Sequence, residues 1–206
     1  MTARFRLRFR LHCLPLLALC AALAGCATTG GTPPSSATVG AYRDTITLAG
    51  RIAVNYQKNG NAESITAPFT WNQSAARVDV SLSSPTGQTM ARISITPTAA
   101  TLIQTDGVPR SAADINSLTR QTLGWSLPVA GLRDWLQGYA TGADGKRFAA
   151  SPAANEVFTN DGWRLRFVSW QDPQSPHPQP RRIDAERAAT ATTDELAIRI
   201  VLEPQA

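Results

Sequence analysis

Cys26 is the residue of this 206-residue chain whose setting points most directly to a covalent reaction. It closes the run Leu23-Ala24-Gly25-Cys26, which reads as a lipobox. At such a site the cysteine is acylated through its sulfur and the preceding peptide is removed, leaving Cys26 as the new N-terminus. Upstream stand Arg4, Arg6, Arg8 and Arg10 and the apolar run from Leu14 to Leu23. A basic region, a short apolar region and small residues before the cut describe a bacterial export signal over residues 1–25. The apolar run is too short to stay in a bilayer as a spanning helix. Two or more acyl chains hold a protein stably at a membrane. Ala27 follows the cysteine, where an inner-membrane lipoprotein often carries Asp, so an outer-membrane address facing the periplasm is expected.

Other chemistry finds few candidates. The cysteines are Cys13, Cys20 and Cys26; two depart with the signal and the third takes lipid, so neither a disulfide nor a thiolate metal site is expected. His12 departs too, and His177 is left among prolines. No Ser-His-Asp set, cysteine nucleophile, phosphate-cradling glycine loop or His/Asp/Glu metal cluster can be assembled, and Gly142-Ala-Asp-Gly145 reads as a turn. An enzyme, a cofactor and a metal are therefore not expected. The chain carries 20 Lys and Arg against 15 Asp and Glu. Four of the arginines lie in the signal, leaving +1, and a nucleic-acid partner loses its electrostatic basis.

What must carry function instead is apolar surface. Residues 26–41, rich in Thr, Gly, Pro and Ser, read as the acylated cysteine and a flexible tether, and residues 42–206 as one domain. From Thr45 apolar residues alternate with polar ones. Ile52, Val54 and Tyr56 share one face, Phe69 and Trp71 return on it, and Val78, Val80 and Leu82 follow. Ala91, Ile93 and Ile95 come after the turn Ser84-Pro85-Thr86-Gly87. Thr101–Gln104 is a short strand ending at Asp106-Gly107. Ser111-Ala-Ala-Asp114 resembles a capping box before a helix carrying Ile115 and Leu118. Later strands run over 146–149, 157–159, 163–167, with Trp163, Leu165 and Phe167 inward, 182–185 and 197–202, around an exposed proline-rich loop at 172–180.

The segment Leu123–Gly138 breaks this two-fold pattern. Ser126 can cap a helix, Pro128 suits its first turn and Gly138 can end it. At helical spacing Val129, Leu132, Trp135 and Leu136 fall on one side and Arg133, Asp134 and Gln137 on the other, with Trp125 and Leu127 extending the apolar surface upstream. So short a helix is not stable alone and needs a receiving surface. The expected fold is mainly β with a small α part: an incomplete, unclosed antiparallel β-barrel of about ten or eleven strands, with a helical lid or plug over an apolar cavity.

This order of parts resembles the outer-membrane lipoprotein family LolB, of the LolA/LolB superfamily. The resemblance rests on the lipobox and tether, the Ser84–Gly87 turn between alternating strands, the Gly124-Trp-Ser-Leu-Pro-Val and Leu132-Arg-Asp-Trp-Leu-Gln-Gly138 segments, and Gly162-Trp-Arg-Leu-Arg-Phe before the proline-rich loop. It implies a monomeric receptor that takes lipidated outer-membrane lipoproteins from the soluble carrier LolA and places them in the outer membrane, without cofactor or metal. It further implies that Ile52, Val54, Phe69, Trp71, Val78, Val80, Leu82, Ile93, Ile95, Trp125, Leu127, Val129, Leu132, Trp135, Leu136, Trp163, Leu165 and Phe167 line the acyl-chain cavity. The turn Pro85-Thr86-Gly87 would act in membrane release, although family members usually carry Leu where Thr86 stands. A rival reading is a lipid-ligand sensor or a structural accessory of envelope assembly with the same fold.

Overall fold

The computed structural model describes residues 33–58, 60–123, 128–190 and 195–204. The lipobox, Trp125, Ser126 and Leu127 lie outside the described residues.

Among the described residues the alternating segments form twelve strands. They are β1 (Ile46–Lys58), β2 (Asn61–Gln73), β3 (Val78–Ser83), β4 (Thr89–Ile95), β5 (Ala100–Gln104), β6 (Pro109–Ala112), β7 (Tyr139–Thr141), β8 (Arg147–Ala149), β9 (Glu156–Phe158), β10 (Arg164–Trp170), β11 (Pro180–Arg187) and β12 (Leu196–Leu202). Ten make one antiparallel sheet in the order β6-β5-β4-β3-β2-β1-β12-β11-β10-β9, and β7 and β8 form a separate hairpin. The edge strands β6 and β9 do not pair with each other, so the sheet is not closed. They hold four and three residues, and edges this short offer little template for pairing with another chain. From Pro34 onward the chain is one compact unit with a contiguous apolar core.

Period-two alternation fixes which side faces inward. On β12 Leu196, Ile198, Ile200 and Leu202 are buried while Arg199 and Val201 are exposed. Gly50, in the middle of β1, permits a close approach: a Cβ there would collide with the Val201 carbonyl oxygen and touch the Phe69 ring. Two helices, α1 (Ile115–Leu123) and α2 (Val129–Trp135), follow β6, with Ile115, Leu118, Val129, Leu132 and Trp135 in the core.

Several local expectations are revised. The capping residue of α1 is Asp114, not Ser111: its carboxylate accepts from the Ser117 backbone N–H at 2.8 Å and from the Ser117 hydroxyl at 2.7 Å. Ser111 belongs to β6, where its hydroxyl pairs with that of Thr101 across the ladder. Pro128 precedes α2 as its N-cap and makes no side-chain capping bond. Gly138 does stand where the chain leaves the helical turn, at φ +83°.

The tether is shorter than its composition implies. Val39 is buried and donates its N–H to the Ala150 carbonyl at 3.0 Å, Ser35 accepts from Ala153, and the Tyr139 hydroxyl donates to the Gly40 carbonyl at 2.6 Å. Arg147 lies over both the Tyr42 and Tyr139 rings, at 5.1 and 4.4 Å. The stretch 35–43 is thus a strap laid along the body. A polar, proline-bearing composition reads as flexible because it holds little to bury, but one valine and a few backbone bonds suffice to dock it.

On the outer face, Asp184 of β11 sits in a cross-strand row between Arg166 of β10 and Arg199 of β12. Its side chain is 6% exposed, with Arg182 at 2.6 Å, Arg199 at 3.3 Å and Arg166 at 3.9 Å. Burial alone pushes this carboxyl's pKa up, but the hydrogen bond and charge of Arg182, joined by Arg199, outweigh it and hold the pKa below the usual carboxylate value. A depressed folded-state pKa contributes stability above the unfolded value, about 3.9, that is lost as pH falls through the folded one. Asp184→Asn is therefore expected to cost about 2 kcal/mol at neutral pH, the scale of hydrogen bonds to a charged group. The gap to the parent should narrow below about pH 4. Urea titrations of both proteins between pH 7 and pH 3 check this; a gap that does not change with pH would mean the charge contributes nothing.

Candidate functional site

The interior is not filled evenly. Around Trp163 and Phe167 of the β10 side it is closely packed. Trp135 of α2 meets Trp163 edge to face, with centroids 5.4 Å apart. Phe148 of β8 stacks on Phe167 at 6.3 Å, and the Arg187 guanidinium lies 4.8 Å over the Trp163 ring. Leu165, Phe167 and Ile183 are wholly enclosed.

Toward β1–β5 the same inner face encloses a hollow of about 180 Å³. Its walls are Ile52 and Val54 of β1, Ala67, Phe69 and Trp71 of β2, Val80 and Leu82 of β3, Ala91 and Ile93 of β4, Leu102 of β5 and Ile200 of β12. Its roof is Thr119 of α1 with Leu132 of α2 and Leu136 just beyond it. Ile65, Met90 and Gln104 complete the lining, and the first two are 36% and 43% exposed, which marks the mouth.

Each polar residue of this lining has a hydrogen-bond partner within the protein. The Thr119 hydroxyl donates to the Ile115 carbonyl of its own helix at 2.9 Å. Gln104 accepts from Arg110 at 3.1 Å, and Arg110 is paired with Asp106 at 2.6 Å. The Trp71 indole N–H donates to Gln73, which in turn donates to the Tyr42 hydroxyl. The Asp106 carboxyl is held below its usual range chiefly by the Arg110 hydrogen bond. A lining of this kind shelters hydrocarbon without directional contacts.

Of the residues expected at the cavity, Ile52, Val54, Phe69, Trp71, Val80, Leu82, Ile93, Leu132 and Leu136 meet around this hollow. Val78, Ile95, Val129, Trp135, Trp163, Leu165 and Phe167 do not line it; they pack in the core beside it. Trp135 in particular turns toward Trp163 and not toward the void, because Gly131 one turn earlier leaves room for its ring: a Cβ there would stand 2.5 Å from the indole. Trp125 and Leu127 are outside the described residues.

The expected set omits Ala67, Ala91, Leu102 and Ile200, which the structure brings to the lining; Ala67 shares the parity of Phe69, and Ala91 that of Ile93. Met90 had no such signal. The β3–β4 ladder shifts register between Leu82 and Ser83, and this irregularity brings Met90 to the lining out of alternation.

The turn that follows β3 is tight. Gly87, at φ +83°, donates to the Ser84 carbonyl at 2.9 Å, and the Thr86 and Ser84 hydroxyls lie 2.8 Å apart. Pro85, Thr86 and Gly87 are exposed. On α2, Arg133 donates to the Ser74 carbonyl at 2.8 Å, and the Gln137 amide both accepts from and donates to the Arg43 backbone. Asp134 has its pKa raised by burial, a shift that Arg147 and Arg133 partly offset. These contacts hold α2 down. Among the described residues no three His, Cys, Asp or Glu are grouped to hold a metal, and no helix is long and apolar enough to cross a membrane.

A family model described as outer membrane lipoprotein LolB matches residues 44–204. The outer-membrane lipoprotein LolB of Cupriavidus pinatubonensis is 36% identical over 203 residues, covering 96% of this chain and 95% of that protein. That of Cupriavidus metallidurans is 37% identical over 206 residues, covering 97% and 98%. Among solved structures, the LolA superfamily protein NE2245 from Nitrosomonas europaea overlaps 77% of this chain and 84% of that one at 8% identity and TM-score 0.40, a distant likeness. The chain belongs to the LolB family of outer-membrane lipoproteins.

Proposed function

We propose that this protein is an outer-membrane lipoprotein receptor that accepts lipoproteins from the periplasmic carrier LolA and incorporates them into the outer membrane. The observation that carries this reading is the apolar hollow under Thr119, Leu132 and Leu136, open at a rim bearing Ile65 and Met90. Exposing one methylene to water costs about 0.8 kcal/mol, so lipoprotein acyl chains need continuous shelter between carrier and bilayer. Transfer without an energy source requires each successive host to bind the chains better than the last. A non-directional apolar pocket that can be vacated meets that need, and a tight polar site would not.

A void near 150 Å³ takes a benzene-sized ligand, so 180 Å³ shelters a short length of one chain. Loading therefore has to enlarge the space. The lipobox reading supplies the anchor: residues 1–25 leave and Cys26 carries the lipid. Thr86 is too polar to enter hydrocarbon as a leucine would, so release leans on the neighbouring apolar rim, Met90 foremost.

The test is transfer. Unlipidated residues 27–206 incubated with a lipoprotein–carrier complex are expected to strip the lipoprotein from LolA, read as co-elution on size exclusion. Lipoprotein that stays wholly with the carrier at a several-fold excess of the receptor would refute the reading.

A further inference from the structure

A second hollow, of about 250 Å³, lies at the far end of α2. Its floor is Ile46 and Leu48 of β1 and Leu202 of β12, all buried. Its rim is the strap residues Gly40 and Ala41, Arg43 and Gln137, and the β10–β11 loop with Gln171 and His177. One residue lines both hollows: Leu136, 4% exposed.

We propose that Leu136 is a displaceable septum, and that the second hollow receives the methyl end of an acyl chain entering through the first. This rests on the acyl-binding reading above and adds the path of the chain.

Capacity is the first argument. If a void near 150 Å³ holds benzene, the upper hollow holds roughly seven carbons of a chain and the lower one roughly ten more. Neither alone houses a long acyl chain, and the two in series do. The second argument is the nature of the wall. Leu136 is the lining residue common to both hollows, and its side chain is aliphatic, with staggered rotamers open to it, on a backbone that stays put. The Leu136 N–H is bonded to the Leu132 carbonyl at 3.1 Å, and Gln137 beside it is clamped to Arg43. The third is the gradient of polarity. The chain meets an apolar floor immediately past the septum, while Arg43, Gln171 and His177 stand at the outer rim, where the passage ends.

Chain-length dependence of binding tests this. The unit from Pro34 onward carries its own core, so unlipidated residues 27–206 can be titrated with saturated fatty acids of about eight to eighteen carbons, reading displacement of cis-parinaric acid. Each methylene buried multiplies affinity by about fourfold. The parent is expected to keep tightening to about sixteen carbons. Ala41→Trp, at an exposed position on the lower rim, fills the lower hollow and leaves the upper one untouched. It should bind the eight-carbon acid like the parent but stop tightening there, so that the sixteen-carbon acid binds at least about tenfold more weakly than to the parent. Leu136→Phe thickens the septum and should give the same cut-off. Superimposable chain-length curves for the parent and Ala41→Trp would overturn the septum and leave the acyl-binding reading standing. No binding by the parent at any length would overturn both.

Discussion

Ala91→Trp is expected to reduce acyl-chain uptake by at least about a hundredfold while moving the melting temperature by no more than a few degrees. Ala91 sits on β4 opposite Leu82 and Gln104, near the mouth of the upper hollow and only partly buried. An indole built there points into about 180 Å³ of empty space. It takes the place of a ligand, since voids of this size accept aromatic rings. Where a core is already full, the same enlargement forces strain of about 1–3 kcal/mol, which in a domain of this size lowers the melting temperature by about 2–4 °C per kcal/mol. Binding and melting therefore separate the two descriptions of this region. Fatty-acid displacement and a thermal melt on the same preparation give the answer. A fall of more than about 10 °C would mean that the space under the helices is filled by its own side chains and that there is no cavity to block.

Trp135→Ala should do the opposite: cost about 3–5 kcal/mol of folding stability and leave the chain-binding capacity of the folded fraction intact. Trp135 is 2% exposed, lies edge to face on Trp163 at 5.4 Å, and occupies a slot that Gly131 keeps clear. Its loss removes a large buried surface and one aromatic pair, and neighbours as constrained as Phe167 and Leu165 have little freedom to collapse into the gap. Urea unfolding monitored by far-ultraviolet circular dichroism measures the loss. Acyl binding at low temperature, normalised to folded protein, measures the second claim. A cost below about 1 kcal/mol together with abolished binding would return Trp135 to the cavity wall.

These two residues mark the limits of what was legible. From the sequence, Val129, Leu132, Trp135 and Leu136 form one apolar stripe at helical spacing and look equivalent. In the structure, Leu132 and Leu136 roof the hollow and Trp135 seals the solid half beside it. Helical periodicity specifies a face about 100° wide, and neighbours within that face can meet different surroundings. The strands behave similarly. Period two placed Val78 and Val80 on the same inner side, yet Val80 lines the hollow and Val78 packs in the core. Local capping was misassigned for a related reason. Ser111 and Asp114 are both competent caps, and the pairing of β6 with β5 used the first of them.

By itself the sequence determined the strand alternation, the apolar stripe of the plug and the turn at Ser84–Gly87. All of these are local in the chain and obey short-range rules of geometry and charge. Only the tertiary structure decided that Met90 turns toward the mouth at a register shift, that the strap from Ser35 docks, and above all where the interior is hollow. An unfilled volume is a property of the distance between surfaces brought together from opposite ends of the chain. No residue encodes that distance alone, because it depends on how far the sheet curves and where two short helices come to rest across it.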